Sequence, residues 1–354
     1  MPSVYARSGA VNERCFRASN IGTFAVEPSF IQRCLRCRKN IVAVHQIEPE
    51  RRTLHGHWSP DLPPALHIEP GDTVVYRTLD ASWSLEKPRG VTWEEWEARR
   101  RFAPLDAARD KGHALCGPVF VSGAQPGMAL SVTFERIRPA DWGWTFAGGW
   151  DSPTNRAQSV VEDYALMFWQ INADAQTARN QQGHTVALRP FMGVSGVAPA
   201  EPGFHSTTPP RAVGGNMDCK ELVEGTTLFL PIAVPGALFS VGDGHAVQGD
   251  GEVSGMAIEC PMDEVRIKFD LVPTALTLPR AQTPTARVTL GFDKDLNKAA
   301  QSALRGMVGW IMETHALPRP EALALASVTA DLRVTQIVNQ VWGVHAVLPN
   351  GAIR

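Results

Sequence analysis

The chain has 354 residues, with 34 lysines and arginines against 36 aspartates and glutamates, for a formal net charge of −2. This length suits one large domain or two closely packed ones, and the near-neutral charge gives no basis for binding nucleic acid. No apolar run approaches the ~20 residues that a membrane-spanning helix needs. The first residues, MPSVYARSGAVNERCF, lack the apolar block of a secretory signal. We therefore expect a cytoplasmic protein with neither nucleic-acid nor membrane partners.

The patterning of the chain predicts many short β-strands. Alternating or β-branched stretches follow Pro-Gly and Glu-Gly pairs, which are typical of tight turns before strands. These predicted strands cover 73–79, 129–137, 226–234, 253–259, 264–272 and 286–292. Short strands separated by glycines and prolines indicate a mainly β fold, with a sandwich-like or barrel-like core, rather than a βαβ fold.

Helical periodicity is concentrated near the C-terminus. Between residues 296 and 314 apolar side chains recur on one helical face, and Pro320 suits the first turn of a second helix. Together these features predict a small C-terminal α/β portion. Residues 84–112 are rich in charge, with Trp93 and Trp96 three positions apart, and we expect a surface helix and loop there.

Residues 1–50 differ in character from the rest of the chain. Cys34 and Cys37 have the spacing of a zinc knuckle or redox pair, but no second pair follows at a useful distance. Reduced thiols without a function are the simpler interpretation. We interpret residues 1–50 as an N-terminal extension, either a poorly ordered arm or sequence upstream of the natural start. The main domain is then assigned to residues 51–354, with room for two interleaved β subdomains.

The most informative segment runs from Gly214 to Cys260. Glycines and short apolar runs alternate there with ionisable residues, namely Asp218, Asp243, His245, Asp250, Glu252 and Glu259. Glycine costs about 1 kcal/mol per helical position, so this composition favours strands and tight turns. Oxygen and nitrogen donors on such turns suit a hard or borderline divalent metal, or acid–base catalysis.

Two pairs in this segment have a spacing that brings side chains together. In an extended chain residues i and i+2 point to the same side, so Asp243 with His245, and Asp250 with Glu252, can each converge on one centre. Aspartates in glycine turns also bond their own backbone, and this interpretation competes with a functional one. Two adjacent pairs, taken with the family resemblance described below, favour a metal or catalytic centre.

Two further carboxylates stand in informative surroundings. Asp218 follows two glycines that permit close backbone approach, and the intervening Asn216 can bond a carboxylate or a substrate amide. Glu259 lies inside an otherwise apolar predicted strand, where a carboxylate is costly unless it is paired, protonated or bound to a cation. An outward-facing strand position is the alternative for Glu259.

Six distinctive blocks follow one another along the chain, namely HGHWSPDLPP (55–64), GHALCGPVFVSGAQPG (112–127), FMGVSGVAPAEPGFHSTTPP (191–210), GGNMD (214–218), PGALFSVGDGHAVQGDGEV (235–253) and DLRVTQIVNQVWGVHAVLP (331–349). In this order they resemble the acetamidase/formamidase family of small-amide hydrolases. The resemblance covers roughly 52–350. It implies a catalytic domain that hydrolyses the C–N bond of short aliphatic amides, such as formamide or acetamide, to ammonia and a carboxylate. It also implies a homo-oligomer.

Candidate roles follow from this resemblance and from the residue chemistry. We assign metal ligation to Asp218, Asp243, His245 and Glu259. Catalytic roles are assigned to Glu252, Asp250 and His55, and substrate binding to Asn216, His113 and Phe191. A divalent ion would lower the pKa of a bound water and polarise the amide carbonyl, and Glu252 or Asp250 would carry a proton to ammonia. We favour zinc as the catalytic ion, and the surplus carboxylates suit calcium as well.

Two other functions and one other catalytic mechanism are alternatives. A hydrolase of γ-lactams, which are cyclic amides, would need a wider pocket. A non-catalytic β-sandwich module would hold Ca²⁺ on the Asp243 and Asp250 turns, but it has no need of Glu259 in an apolar strand. Covalent catalysis by Cys219, next to Lys220 and Glu221, is disfavoured because sequence neighbours on a strand face opposite sides.

Overall fold

A computed structural model describes residues 42–88, 90, 92–103 and 106–354. The short β-strand is its predominant element, and nine strands form the largest sheet. From one edge to the other they are β1 (Val44–Ile47), β4 (Thr73–Thr78), β15 (Met262–Val272), β6 (Ala129–Pro139), β13 (Thr227–Pro231), β16 (Arg280–Gln282), β17 (Ala286–Asp293), β19 (Trp342–Pro349) and β18 (Asp331–Gln336).

Two smaller sheets accompany the nine-stranded one. The six-stranded sheet consists of β12 (Gly214–Asn216), β11 (Phe191–Gly196), β14 (Phe239–His245), β5 (Leu115–Val121) and β2 (Leu54–His55), with β3 (Leu66–Ile68) parallel to β5. The four-stranded sheet consists of β10 (Thr185–Ala187), β9 (Thr177–Asn180), β8 (Tyr164–Asn172) and β7 (Trp142–Gly148). Among the described strands no sheet closes on itself, so the sandwich-like prediction is the better description of this mainly β fold.

The nine-stranded and six-stranded sheets share one apolar core. Alternation along β15 buries Val265, Ile267 and Phe269, and the Phe269 ring lies 5.1 Å from that of Phe239 on β14. Strands with this alternation bury one face and leave the other to solvent. The shared core therefore places the six-stranded sheet, and with it β14, on a rigid support.

Four helices are described, and the predicted C-terminal α/β portion is confirmed. The helices are α1 (Trp93–Glu97), α2 (Pro153–Ala157), α3 (Leu296–His315) and α4 (Arg319–Thr329). Asp295 caps α3 by accepting from the backbone N–H of Asn297, and the helix packs its apolar face on β17 and β19. None of the helices in the described residues combines the length and the apolar character needed to cross a membrane.

Three local expectations differ from the structure. Residues 253–259 form turns rather than a strand, because Glu252 and Gly255 adopt positive φ angles of 45° and 83° that end extended structure. Residues 84–112 contain the short helix α1, but Trp96 is buried against Trp144 rather than solvated. Regular structure also begins before residue 51, since β1 pairs in parallel with β4. Cys34 and Cys37 lie outside the described residues.

Candidate functional site

Five ionisable side chains from four separate segments converge next to the shared core. We call this the acid–histidine cluster; it consists of Asp218, Asp243, His245, Glu252 and Glu259, each at most 6% exposed. The Nε2 atom of His245 lies 3.4 Å from Asp243 Oδ1 and 3.3 Å from Glu259 Oε2. Potential ligand atoms of Asp218, Asp243 and His245 lie within 4.8 Å of one another, as do those of His245, Glu252 and Glu259.

Backbone turns, rather than extended strand geometry alone, bring these acids together. Asp218, Asp243 and Glu252 all have positive φ angles, of 49°, 58° and 45°. Such angles are uncommon outside glycine and cluster at functional sites, where the surrounding fold holds them. Gly193 on β11 supplies the space, because a Cβ atom there would lie 2.5 Å from Asp243 Oδ2 and 2.7 Å from Asp218 Oδ1.

Burial and mutual charge shift the pKa values of the cluster in different directions. Burial raises the pKa of Glu259 to about 7, with the charge of His245 opposing the rise. Burial and neighbouring acids also raise the pKa values of Asp218 and Glu252. Burial would raise the pKa of Asp243 too, but the charges of His245 and His113 outweigh it and hold this pKa below its ordinary value. Four carboxylates this close cannot all ionise unless a cation neutralises them.

The tautomer of His245 follows from its neighbours. Gln248 Nε2 donates to the backbone carbonyl of Asp218 at 2.8 Å, which orients the Gln248 amide. Its Oε1 oxygen then lies 3.0 Å from His245 Nδ1, so Nδ1 carries the proton and donates it. The Nε2 atom is left facing Asp243 and Glu259, and a histidine held through its other nitrogen is typical of metal ligands.

Several polar atoms of the cluster have no hydrogen-bond partner although they are buried. They are Asp218 Oδ1, His245 Nε2, Glu252 Oε2 and Glu259 Oε2. A buried polar atom without a partner costs free energy, so four of them in one cluster indicate a site suited to binding a further group. One nitrogen and several carboxylate oxygens form a donor set that fits a divalent cation.

A cavity of about 360 Å³ opens over the cluster. Asp243, Glu252 and Glu259 contribute to its lining, as do Trp144 and Met256. Trp144 is held in place by its Nε1–H, which donates to Asp80 at 2.7 Å. A volume near the lower end of the range for ligand pockets suits a small molecule.

Two of the three predicted substrate-binding residues line this cavity. Asn216 donates from Nδ2 to the carbonyl of Thr208 at 3.0 Å, and its buried Oδ1 has no hydrogen-bond partner. His113 is half-buried, and its Nδ1 lies 2.8 Å from the hydroxyl of Thr207. Both residues therefore stand where an amide could reach them.

Three predicted site residues lie outside both the acid–histidine cluster and the cavity lining. Phe191 is fully buried and packs edge-on against the His245 ring at 5.0 Å, so it supports that imidazole rather than touching a substrate. His55 bonds the His57 carbonyl at 2.8 Å and Ser240 Oγ at 2.9 Å, and burial lowers its pKa to about 4. Asp250 turns away from the cluster to form an ion pair with Lys220 at 2.9 Å.

Cys219 does not have the surroundings of a nucleophile. Its side chain is fully buried, and burial raises the pKa of the thiol to about 12. A reactive cysteine needs an accessible site that favours the thiolate. Lys220 and Glu221 are engaged elsewhere, with Asp250 and with Arg189 and Arg333 respectively.

Sequence reasoning missed the contribution of Asn339. This residue lines the cavity and donates from Nδ2 to Asp218 Oδ2. Its position in the block at 331–349, one of those that resemble the family, was the available signal. An amide outside the acidic segment carries no charge pattern that would single it out.

The chain is similar in sequence to known proteins that are named as formamidase or acetamidase. A protein of Schizosaccharomyces pombe provisionally named formamidase is 29% identical over 270 residues, or 61% of this chain and 64% of that protein. The acetamidase of Mycolicibacterium smegmatis is 25% identical over 266 residues, or 56% of this chain and 61% of that protein. The chain thus spans less than two thirds of the length of these relatives.

Structural similarity extends further along the chain. The crystal structure of an acetamidase from Bacillus halodurans matches with a TM-score of 0.74 and 25% identity, covering 86% of this chain and 97% of that one. A family model described as the Acetamidase/Formamidase family matches residues 41–206 and 203–349. The sequence blocks, the fold and the acid-lined cavity thus agree, and the chain belongs to the Acetamidase/Formamidase family.

Proposed function

We propose that this protein hydrolyses the C–N bond of short aliphatic amides, giving ammonia and a carboxylate, with a divalent metal ion held by the acid–histidine cluster. The observation that carries the proposal is that buried potential ligand atoms of the acid–histidine cluster lie within 4.8 Å of one another in two overlapping groups beneath a small cavity. The relatives named formamidase and acetamidase support the substrate class.

The proposed metal ligands are Asp218, Asp243, His245 and Glu259. We favour zinc, because a histidine nitrogen and carboxylate oxygens suit it, with calcium as the second choice for so oxygen-rich a set. The ion would lower the pKa of a bound water and polarise the substrate carbonyl. Gln248 fixes the His245 ring for this role through Nδ1, and Phe191 packs against its face.

Glu252 is the proposed proton carrier. Its carboxyl lines the cavity, and burial together with Asp218 raises its pKa. A carboxyl with a raised pKa can take a proton from water and return it near neutral pH. As the water oxygen bonds to the carbonyl carbon, Glu252 takes a proton from the water and the π electron pair of the C=O bond moves onto oxygen. When that pair re-forms the C=O bond, the C–N bond breaks with its electron pair moving to nitrogen, and Glu252 delivers the proton that completes ammonia.

Asn216 is the proposed substrate anchor. Its Oδ1 is buried, has no hydrogen-bond partner, and belongs to a residue that lines the cavity. An acceptor in this state is suited to the N–H₂ group of a primary amide, because binding would satisfy both groups at once. A short acyl group would then lie towards Trp144 and Met256.

Ammonia release by the purified protein tests the proposal. Formamide, acetamide, propionamide, benzamide and a γ-lactam are assayed before chelation, after chelation and after zinc is restored. We expect turnover of the shortest linear amides, loss with chelator and recovery with zinc. Turnover of the γ-lactam alone would make cyclic amides, rather than short linear amides, the substrate class. Turnover that survives chelation would remove the metal from the mechanism.

A variant separates catalysis from structural metal binding. Glu252→Gln should abolish turnover while melting temperature and metal content stay near those of the wild type. If Glu252 only holds a structural ion, the same change lowers metal content and stability together, because a bound metal stabilises the folded state. Glu48→Gln, an exposed position in an ion pair with Arg77, is the matched control.

The proposal includes a cytoplasmic location, and also a homo-oligomer, which the family resemblance implies. Light scattering of the purified protein at working concentration measures its oligomeric state directly. A monomer would remove the oligomer from the proposal and leave the catalytic part untouched.

A further inference from the structure

A buried threonine holds the side chain of His113 at the cavity. Thr207 Oγ1 accepts from the backbone N–H of His113 at 2.9 Å, and the same oxygen lies 2.8 Å from the Nδ1 atom of the ring. Thr207 has no exposed surface. Gly112 makes room for it, because a Cβ atom there would lie 2.0 Å from Thr207 Oγ1.

The hydroxyl determines which ring nitrogen of His113 carries the proton. Thr207 has a single O–H proton, and His113 Nδ1 is the acceptor that the described residues offer to it. A buried hydroxyl that donates to nothing is unfavourable, so its proton is directed at Nδ1. Since Nδ1 accepts, a neutral His113 carries its own proton on Nε2.

The protonated Nε2 atom is the one available to a ligand. Its ring is half-buried, its Nδ1 edge is occupied by Thr207, and the residue lines the cavity together with Asp243 and Glu259. His113 also lies close enough to Asp243 for the two side chains to interact electrostatically. The edge of the ring opposite Thr207 therefore presents an N–H group to the cavity.

We propose that His113 is a catalytic hydrogen-bond donor, which presents its Nε2–H to the substrate carbonyl oxygen as negative charge develops there, and that Thr207 is its positioning residue. This inference rests on the proposed amidase function. As water adds to the carbonyl carbon, the π electron pair of the C=O bond moves onto oxygen, and the hydrogen bond stabilises that charge. His113 keeps its proton throughout, because the N–H group of a neutral imidazole is too weak an acid to transfer its proton to the carbonyl oxygen.

Steady-state kinetics on formamide and acetamide test the role of His113. Removing one donor to a developing oxyanion typically lowers kcat by about 100- to 1,000-fold. We expect a loss of this size in His113→Leu with little change in KM, and recovery of at least about tenfold in His113→Gln, which restores an N–H donor. His67→Gln, at an exposed position on β3, is the matched control and should match the wild type.

Thr207 is tested by a pair of variants and a spectroscopic measurement. Thr207→Val removes the hydroxyl at nearly constant shape, whereas Thr207→Ser retains it. We expect the Thr207→Val variant to have a lower kcat and the Thr207→Ser variant to keep the wild-type kcat. Nitrogen-15 shifts of the His113 ring, recorded on histidine-labelled protein, should show the Nε2–H tautomer in the wild type and the Ser variant, and a loss of that preference in the Val variant.

The outcomes separate this inference from the proposed function. An inactive wild type would overturn both. An active wild type with an unimpaired, correctly folded His113→Leu variant would overturn the role of His113 alone, as would ring shifts showing the proton on Nδ1. If His113→Leu fails to fold, by circular dichroism and metal content, the Thr207 pair and the wild-type ring shifts decide the question.

Discussion

Asn339 reaches Asp218 across 121 residues of sequence, and its amide donates to a carboxylate that is already crowded by other acids. The turn that presents Asn339 is held by Gln336, whose Oε1 accepts from the backbone N–H groups of Val338 and Asn339 at 2.9 and 3.0 Å. A donor fixed in this way stabilises the ionised form of its acceptor without adding charge. Asn339 therefore favours the form of Asp218 that binds a cation.

Replacing the Asn339 amide by a carboxylate of the same size should destabilise the acid–histidine cluster. In Asn339→Asp the hydrogen bond to Asp218 is lost and a further carboxyl enters a buried acidic site. We expect the free energy of unfolding of the chelator-treated protein to fall by about 1–3 kcal/mol. Urea denaturation measures this, and Gln340→Glu, which adds the same charge at an exposed neighbour, is the control. Equal stability of the two variants would show that the Asn339 amide contributes nothing.

Residue chemistry predicted the members of the cluster better than it predicted their neighbours. Carboxylates among glycines are conspicuous in sequence, and Asp218, Asp243, Glu252 and Glu259 do converge. Asp250 was expected to converge as well, yet it pairs with Lys220. Spacing of i and i+2 assumes an extended chain, and Gly251, between Asp250 and Glu252, breaks that assumption with a φ angle of 96°. The direction of a side chain at a turn depends on backbone angles that composition does not specify.

At the scale of the element, the loop at 249–256 is held through both backbone polar groups of Gly251. The N–H of Gly251 donates to the carbonyl of Thr335 at 3.0 Å, and the N–H of Ile337 donates to the carbonyl of Gly251 at 3.2 Å. The φ angle of Gly251 is 96°, immediately before the positive φ of Glu252. The loop thus depends on a glycine to place the Glu252 carboxyl in the cavity.

Adding a methyl group to Gly251 should displace Glu252. A Cβ atom at this position would lie 3.0 Å from Val253 Cγ1, in a backbone conformation that alanine rarely adopts. We expect Gly251→Ala to lower stability by about 1–2 kcal/mol and kcat by at least tenfold. Gly249→Ala is the matched control, because a Cβ atom there has nothing within 4 Å. Melting curves measure the change in stability, and steady-state kinetics measure the change in kcat. Equal stability and equal kcat in the two variants would show that Gly251 does not position Glu252.

Elements with a clear period were the most predictable ones. The alternation over 264–272 corresponds to β15, and the helical period over 296–314 corresponds to α3. The expected strand at 253–259 was wrong because glycine-permitted turns interrupt an apolar run, leaving Glu259 in isolated bridges to Trp144 and His245. Strand β1 was missed because four residues are too short for a period to be read, and their order comes from pairing with β4.

At the scale of the whole molecule, two buried histidines link stability to pH. Burial lowers the pKa values of His55 and His345 to about 4 each. His345 has no exposed surface, and its Nδ1 lies 2.8 Å from Thr335 Oγ1. Both residues are therefore neutral in the folded protein at mildly acidic pH, whereas in the unfolded chain a histidine takes up a proton near pH 6.5.

Stability should fall as the pH drops from 6.5 towards 4, because the unfolded chain then binds protons that the folded protein does not. One such histidine contributes about 2 kcal/mol to the difference between pH 7.5 and pH 5. Glu259 acts in the opposite direction, since its folded pKa is raised to about 7. The comparison must therefore be made between variants rather than within one protein. Urea unfolding of His345→Gln should show a pH difference smaller than that of the wild type by about this amount, whereas the exposed His67→Gln should leave it unchanged. An identical pH difference in the wild type and His345→Gln would mean that His345 is protonated in the folded protein as readily as in the unfolded chain.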